Sequence, residues 1–333
     1  MMTPSQSETA PTDEIRFQPL DHPILLARPE RLSDFSVWRG HIPFAMLLIE
    51  LLRPRVLVEL GTHYGDSYLA FCQAVKTLHT GTRCFAVDTW QGDAQAGFYE
   101  DGIYTDLQAY HDPRYADFSR LVRATFAEAA ATFADGSIDL LHIDGLHTYE
   151  AVKHDFDTYR LKLNAENAVV LFHDTAVTDG DFGVYRFWDE LCATTNAPAF
   201  AFTHAGGLGV LALGEASRAK LRFLTEASAA DADHLRLFFE RLAEPAILAK
   251  SLEPKWSQLA SAEEHLALTR AELEQQRAEF AKVAKDRDDL REHAHRLEAH
   301  RDQIEAELRT RVAQQTPLSR LRRMLTGGAK SGE

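Results

Sequence analysis

The sequence predicts an α/β fold, a doubly wound and mostly parallel seven-stranded sheet, followed by a C-terminal α-helical coiled coil. Three observations carry that expectation. The first is Val56–Ser67, VLVELGTHYGDS, where an apolar run feeds a turn holding Gly61 and Gly65 and a helix-forming stretch begins near Ser67. This is the pattern of a buried parallel strand turning sharply into a helix, with glycines where backbone must approach a ligand closely. The second is the alternation of short apolar runs with amphipathic stretches, several of the runs ending in a carboxylate. The third is a long segment, Ser257–Arg311, that has neither Gly nor Pro and carries a seven-residue apolar repeat.

The elements follow in order. Arg83–Asp88 (RCFAVD) reads as a second buried strand ending in an acid. Trp90–Phe118 shows no clear period and is expected to be a long functional loop or lid. Leu121–Thr125 predicts a short strand, Phe126–Phe133 a helix, Ile138–Ile143 a fourth strand and Tyr149–Leu163 an amphipathic helix. Ala168–Phe172 predicts a fifth strand and Val184–Thr194 a further helix. Ala199–His204 and Leu208–Leu213, separated by Gly206-Gly207, suit a hairpin that closes the sheet with one antiparallel strand at an edge.

Beyond Gly214 the character changes. Glu215–Lys250 reads as one or two packing helices whose end Pro254 marks. Leu259, Leu266, Leu273 and Phe280 then fall seven apart, and Val283, Leu290, Leu297 and Ile304 form a second seam with the same step. Together they make the a/d pattern of a coiled coil, weakened by Thr269 and Gln276 at d and by Arg287 and Arg301 at a. Homo-oligomerisation is the leading expectation, ahead of packing on another protein or a lone charged helix. Pro317 stops the pattern, and the basic, apolar tail after it suits a weak contact with an anionic membrane or an acidic protein. The expected divisions are a disordered lead-in over 1–20, a catalytic body over 21–214, a helical extension over 215–254, the coiled coil over 255–312 and a flexible basic tail over 313–333.

Composition narrows the function classes. The chain has 333 residues with 36 Lys+Arg against 50 Asp+Glu, a net charge of −14. Acids and bases balance from Ser251 to Glu333, so the whole excess falls on the preceding residues. An acidic body argues against nucleic acid as a partner, since phosphate contacts need clustered Lys and Arg. Cys72, Cys84 and Cys192 are odd in number and scattered, and read as reduced core residues. The N-terminus has neither a basic n-region nor an apolar h-region, and the apolar run Ile42–Leu52 is too short to span a bilayer. A cytoplasmic protein with no transmembrane segment is expected.

Three groups of residues carry chemistry. Gly61 and Gly65 lack the third glycine of the dinucleotide fingerprint, which disfavours NAD but not a single adenosine moiety. Asp88, at the tip of the second strand, can accept from ribose hydroxyls or simply hold a turn. Glu59, just before the glycine turn, can join that site or cap the loop. The third group is the pair of strand ends HIDGLH (His142–His147) and FHD (Phe172–Asp174). Asp144 and Asp174, with His173 beside them, can hold a hard divalent cation or serve as turn carboxylates. His147 can act as a general base or stand as a surface residue.

Read together, VELGTHYGDS, AVDTWQGD, SIDLLHIDGLHTYEAVKHDFD, VVLFHDT and FGVYRFWDEL resemble the class I S-adenosylmethionine-dependent methyltransferases. The resemblance spans about Val56–Gly214 and is strongest to the macrocin-type sugar O-methyltransferase group. It implies a Rossmann-like methyltransferase body with S-adenosyl-L-methionine held by Glu59, Gly61, Gly65, Ser67, Asp88 and Asp144. It further implies Mg2+ on Asp144 and Asp174, with His173 a less regular third ligand, and His147 as base beside Asp144. The acceptor implied is a hydroxyl of a small molecule, sugar or glycoconjugate. Two alternatives stay open at this stage: a coiled-coil scaffold with an inactive methyltransferase-like body, and an adenosine-cofactor oxidoreductase.

Overall fold

The computed structural model describes residues 17–35, 37–93, 95, 97–99 and 101–315. The sequence-expected lead-in, up to residue 16, and the basic tail, from residue 316, lie outside the described residues. The chain divides into two compact units after Pro254.

The first unit is built on seven strands: β1 (Val56–Leu60), β2 (Arg83–Asp88), β3 (Ser119–Arg123), β4 (Leu140–Ile143), β5 (Val169–His173), β6 (Ala199–Phe202) and β7 (Leu208–Ala212). Their order across the sheet is β3-β2-β1-β4-β5-β7-β6. The five strands from β3 to β5 are parallel, while β7 runs antiparallel to both β5 and β6. The expected antiparallel strand is therefore present but not at the edge: β7 is inserted between β5 and β6, and β6 takes the outer place. A tight hairpin keeps β6 and β7 adjacent, the glycine pair 206–207 returning the chain beside its own partner.

Two-residue periodicity sorts each strand between two cores. Leu57, Leu140, Val169 and Leu171 face α1 (Ile42–Leu52) and α2 (Asp66–Leu78). Val58, Leu60, Leu141, Val170 and Phe172 face the opposite layer of α4 (Phe126–Ala130), α5 (Tyr149–Tyr159) and α6 (Val184–Thr194). Both faces are covered, so the strands read as continuous apolar runs. On the β1 face shared with Leu57 lies Glu59, a buried acid with consequences for the site.

Trp90–Phe118 is not the unstructured loop its sequence suggests. It contains a short hairpin pairing Gly92–Asp93 with Gly97–Phe98, and then α3, Gly102–Tyr115. The buried stripe of α3 is Leu107, His111 and Tyr115, four residues apart. Two of those three carry polar atoms, which flattens the hydropathy period although the helical spacing is intact. Pro254 also fails to end the helical region: after α7 (Glu215–Thr225), helical backbone occupies Ala229–Gln315 as α8. A proline removes one backbone donor at a cost of about 3 kcal/mol, which a long helix tolerates.

The second unit is helical from its start at Lys255 to Gln315. Its apolar repeat faces water, with Leu273 47%, Phe280 78%, Leu290 69% and Ile304 45% exposed. No helix among the described residues is long and apolar enough to cross a membrane.

The ligand edge is set by a close approach between the turn after β1 and the end of β4. Gly61 has φ +84°, and a Cβ there would lie 2.1 Å from the Asp144 carbonyl oxygen. Gly61→Ala should therefore lower stability by at least about 2 kcal/mol, from overpacking and an unfavourable left-handed backbone. Urea unfolding measures this, and an unchanged midpoint with an unchanged m-value would contradict the packing described.

Candidate active site

A cavity of about 560 Å³ opens at the carboxyl ends of the parallel strands. The chain order reverses between β1 and β4, so this is the crevice where open α/β sheets bind ligands. Its floor is the glycine turn and the first turn of α2, including Gly61, Gly65 and Ser67. Asp88, Asp144, His147, His173 and Asp174 line its walls, and Phe35, Trp38, Tyr99 and Phe182 supply aromatic faces.

Both glycines were expected to make room for a ligand, yet their Cβ space is filled by protein. Gly61 meets Asp144, and a Cβ on Gly65 would lie 2.7 Å from Leu107 Cδ1. The turn thus follows its protein neighbours closely, and ligand access comes from the other side of the same backbone. Asp88 ties the turn down. Its Oδ2 accepts from the Thr62 and His63 backbone N–H groups at 2.8 and 2.9 Å, and Oδ1 accepts from Trp90 N at 2.7 Å. An ionised carboxylate has about four acceptor positions, so one remains for a ligand hydroxyl.

Glu59 does not reach the cavity, against the sequence reading that made it a cofactor ligand. Strand alternation turns it to the α1–α2 face, where it has no exposed surface. Oε2 accepts from His142 Nδ1 at 2.9 Å, and Trp38 Nε1 donates to His142 Nε2 at 3.3 Å. Indole nitrogen only donates, so His142 accepts at Nε2 and donates from Nδ1 to Glu59. Burial raises the Glu59 pKa, and the bond from His142 only partly offsets it. The trio is a support beneath the cavity wall, running from β1 through β4 to the segment holding Trp38.

The strand ends of β4 and β5 bring four ligand-type groups together. Asp144, His147, His173 and Asp174 offer one donor atom each, all within 4.8 Å of one another. His147 Nε2 lies 3.3 Å from Asp144 Oδ1 and 3.2 Å from Asp174 Oδ2. His173 Nδ1 lies 3.1 Å from Asp144 Oδ1 and 3.3 Å from Asp174 Oδ1. Burial would raise the Asp144 pKa, but the charge of His173 and bonds from both histidines hold it well below the usual carboxylate range. Burial would likewise lower His173, but Asp144 and Asp174 lift it to about 10. The other ring nitrogen of His173 faces the Ala205 carbonyl at 3.1 Å, so both nitrogens donate and the ring is an imidazolium. His147 is raised too, its desolvation outweighed by the same two carboxylates.

The same residues fit a divalent cation. Donors sharing one ion at about 2.1 Å sit roughly 3.0–3.4 Å apart, from octahedral to tetrahedral arrangement. The four His–Asp contacts fall in that range, and the whole donor set lies within 4.8 Å. A cation bound there would compete with protons for the same atoms.

Backbone conformation marks the same place. Asp174, His63 and Trp90 are non-glycine residues with φ of +60°, +50° and +50°, all beside the cavity or its turn. Such outliers persist only where surrounding structure over-determines them. Gly206 makes the Asp174 conformation possible, since a Cβ there would lie 2.2 Å from Asp174 Oδ1.

Sequence reading missed Trp38, Gln95 and Phe182. Gln95 Oε1 accepts from His147 N at 2.8 Å, and Phe182 stacks on the His147 ring at 5.1 Å with planes 8° apart. Phe182 stood in a motif noted for its resemblance, but nothing in its spacing shows that it faces His147. Gln95 lies in the aperiodic segment, and Trp38 precedes the first strand.

Residues 58–175 match the family model of a methyltransferase domain. A curated relative, uncharacterized protein y4gI from Sinorhizobium fredii (strain NBRC 101917 / NGR234), is 50% identical over 190 residues, 57% of this chain. The chain spans about a fifth of the length of that relative, 20%. Among solved structures, the O-methyltransferase TomG from Streptomyces achromogenes, in complex with SAM, is 17% identical, with 56% of this chain and 92% of that one covered, at a TM-score of 0.39. The SAH-bound methyltransferase PaMTH1 from Podospora anserina is 13% identical, with 53% and 78% covered, at a TM-score of 0.41. Overlaps this loose carry no inference about chemistry.

The charge cluster makes stability depend on pH when no cation is bound. His173 keeps its proton to about pH 10 in the folded chain against 6.5 unfolded, so its contribution is complete below pH 6.5 and is lost as pH rises toward 10. Asp144 is held well below the ordinary aspartate value of 3.8, so its contribution is present above that pH and lost as pH falls further. In excess chelator, thermal stability should fall between pH 6.5 and 10 in the parent chain and fall less in His173→Gln. Identical pH slopes for the two would contradict the imidazolium assignment.

Proposed function

We propose that this chain, whose residues 58–175 match the methyltransferase-domain family model, is an S-adenosylmethionine-dependent O-methyltransferase. The acceptor in this reading is a hydroxyl of a sugar or glycoconjugate, and a divalent cation assists. The observation that carries it is the juxtaposition of the glycine turn with Asp144, His147, His173 and Asp174 on one cavity. That arrangement puts a donor site and a means of activating a hydroxyl within one enclosed space.

Backbone N–H groups of the turn and of the α2 N-terminus, with Ser67, would meet the carboxylate of the cofactor's methionine part. The remaining acceptor position of Asp88 would take a ribose hydroxyl. Methyl transfer breaks a carbon–sulfur bond of the sulfonium and forms a carbon–oxygen bond in line, while the acceptor hydroxyl loses its proton. A sugar hydroxyl is almost wholly protonated at neutral pH, so activation is the enzyme's main chemical task. His147 is placed to take that proton. Its side chain is 21% exposed to the cavity, against 4% for His173, and Gln95 and Phe182 fix its ring.

Asp144, Asp174 and the enclosed His173 would hold the cation, which supplies Lewis-acid polarisation of the acceptor oxygen. Magnesium is the ion implied by the resemblance, but an imidazole in the donor set suits Mn2+, Co2+ or Zn2+ at least as well. The carboxylates facing His147 raise its pKa, and a cation on the same carboxylates would counter that effect. Aromatic faces at Phe35, Tyr64, Tyr99 and Phe182 beside polar groups support a sugar-like acceptor.

Transfer of an isotopically labelled methyl group from S-adenosylmethionine to a panel of sugar and glycoconjugate acceptors tests the reaction. Asp88→Ala should weaken cofactor binding roughly ten- to a hundredfold, the scale of a lost charged hydrogen bond. His147→Ala should lower kcat by about 10²–10⁴ while Mn2+ binding, read by its paramagnetic signal, is retained. Asp144→Ala should lose both. Equal cation binding in parent and Asp144→Ala chains would remove the cation from the account. Full turnover in His147→Ala would remove its role as base.

A further inference from the structure

We propose that the helix of the second unit pairs with a second copy of this chain as a parallel, in-register, two-stranded coiled coil. The charges flanking its apolar seam select that arrangement. With Leu266, Leu273 and Phe280 at a and Val283, Leu290, Leu297 and Ile304 at d, these seven residues lie exposed on one stripe of the described helix. Such a stripe in water needs a partner, and the residues beside it say which one.

In a parallel pair, each g residue faces the e residue five positions on in the other chain. Glu272 then meets Arg277, Asp286 meets Arg291, His293 meets Glu298 and His300 meets Glu305. Glu279 and Glu307 meet Ala284 and Val312, and no two like carboxylates or guanidinium groups face each other. Arg287, one of the two arginines in the seam, falls beside Asp286 of the other copy. Arg301 has no such neighbour across the pair. It keeps a bond to Asp302 of its own chain at 2.8 Å and weakens the association.

The antiparallel alternative reverses this pattern. Aligning the same seam about its middle, between Phe280 and Val283, pairs g with g and e with e. Asp286 then faces Glu279, Arg270 faces Arg291 and Glu263 faces Glu298, each repeated by symmetry, and only Glu272 with His293 is of opposite type. A different partner protein would have no reason to be complementary to the g and e series of this chain in matching register. The self-complementarity of the sequence therefore identifies the occupant as the chain itself. This inference is independent of the chemistry at the cavity.

Light scattering on the full chain over a range of concentrations is the first reading, with a dimer expected. Glu272→Arg with Asp286→Arg turns four attractive contacts of the dimer into repulsive ones and should raise its dissociation constant at least about tenfold. Adding Arg277→Glu and Arg291→Glu reverses the polarity of the pairs and should restore the parent value to within roughly threefold. Ala294→Cys, at an a position away from the middle of the seam, should give a covalent dimer under mild oxidation that the parent chain does not give. A full chain that stays monomeric at ~100 µM overturns the proposal. So does a dimer indifferent to the charge reversal, or one that the cysteine variant fails to cross-link.

Discussion

The ligand edge depends on how the ends of three adjacent strands, β2, β1 and β4, are tied to one another. Asp88 at the end of β2 holds the turn after β1 through its backbone N–H groups, and Gly61 lets that turn lie against Asp144 at the end of β4. Neither contact tolerates a larger or differently charged group. Together they fix the backbone donors of the turn relative to Asp144, the kind of fixed geometry that the proposed transfer between a donor molecule and a hydroxyl would require. The buried Glu59–His142–Trp38 chain supports the same edge from beneath.

Charge is the second constraint. Two carboxylates and two histidines share the walls of one cavity, and the carboxylates raise the pKa of both histidines they face. A proton and a metal ion would compete for the same atoms. In the proposed methyl transfer, a cation held by Asp144 and Asp174 would offset the pull of those carboxylates on the His147 proton and so favour His147 as the base. The left-handed backbone at Asp174 and the glycine pair beside it show how closely the site is shaped.

Much of this was legible in the sequence because it depends on local pattern. Continuous apolar runs such as Val169–Phe172 mark strands covered on both faces, and Gly61 and Gly65 mark the turn. Asp144, His147 and Asp174 could be singled out because they stand at strand ends, where an α/β sheet places its ligands. The remainder depends on side-chain direction and on distant packing. Glu59 looked like a site residue until strand alternation placed it on the other face. The helix Gly102–Tyr115 was hidden because its buried stripe uses His111 and Tyr115. Gln95 and Phe182, which hold His147, come from segments far apart in the chain and share no spacing that a sequence can display. Pro254 was over-read, since one proline does not outweigh the helix formers around it.

The central claim is that the cavity beside the glycine turn binds an adenosine cofactor carrying a methionine moiety. Calorimetric titration of the full chain with S-adenosylhomocysteine, with NAD as the comparison, tests it without knowledge of the acceptor. The account predicts one saturable site per chain for S-adenosylhomocysteine and none for NAD. A folded chain that binds NAD, or that binds neither, would contradict it.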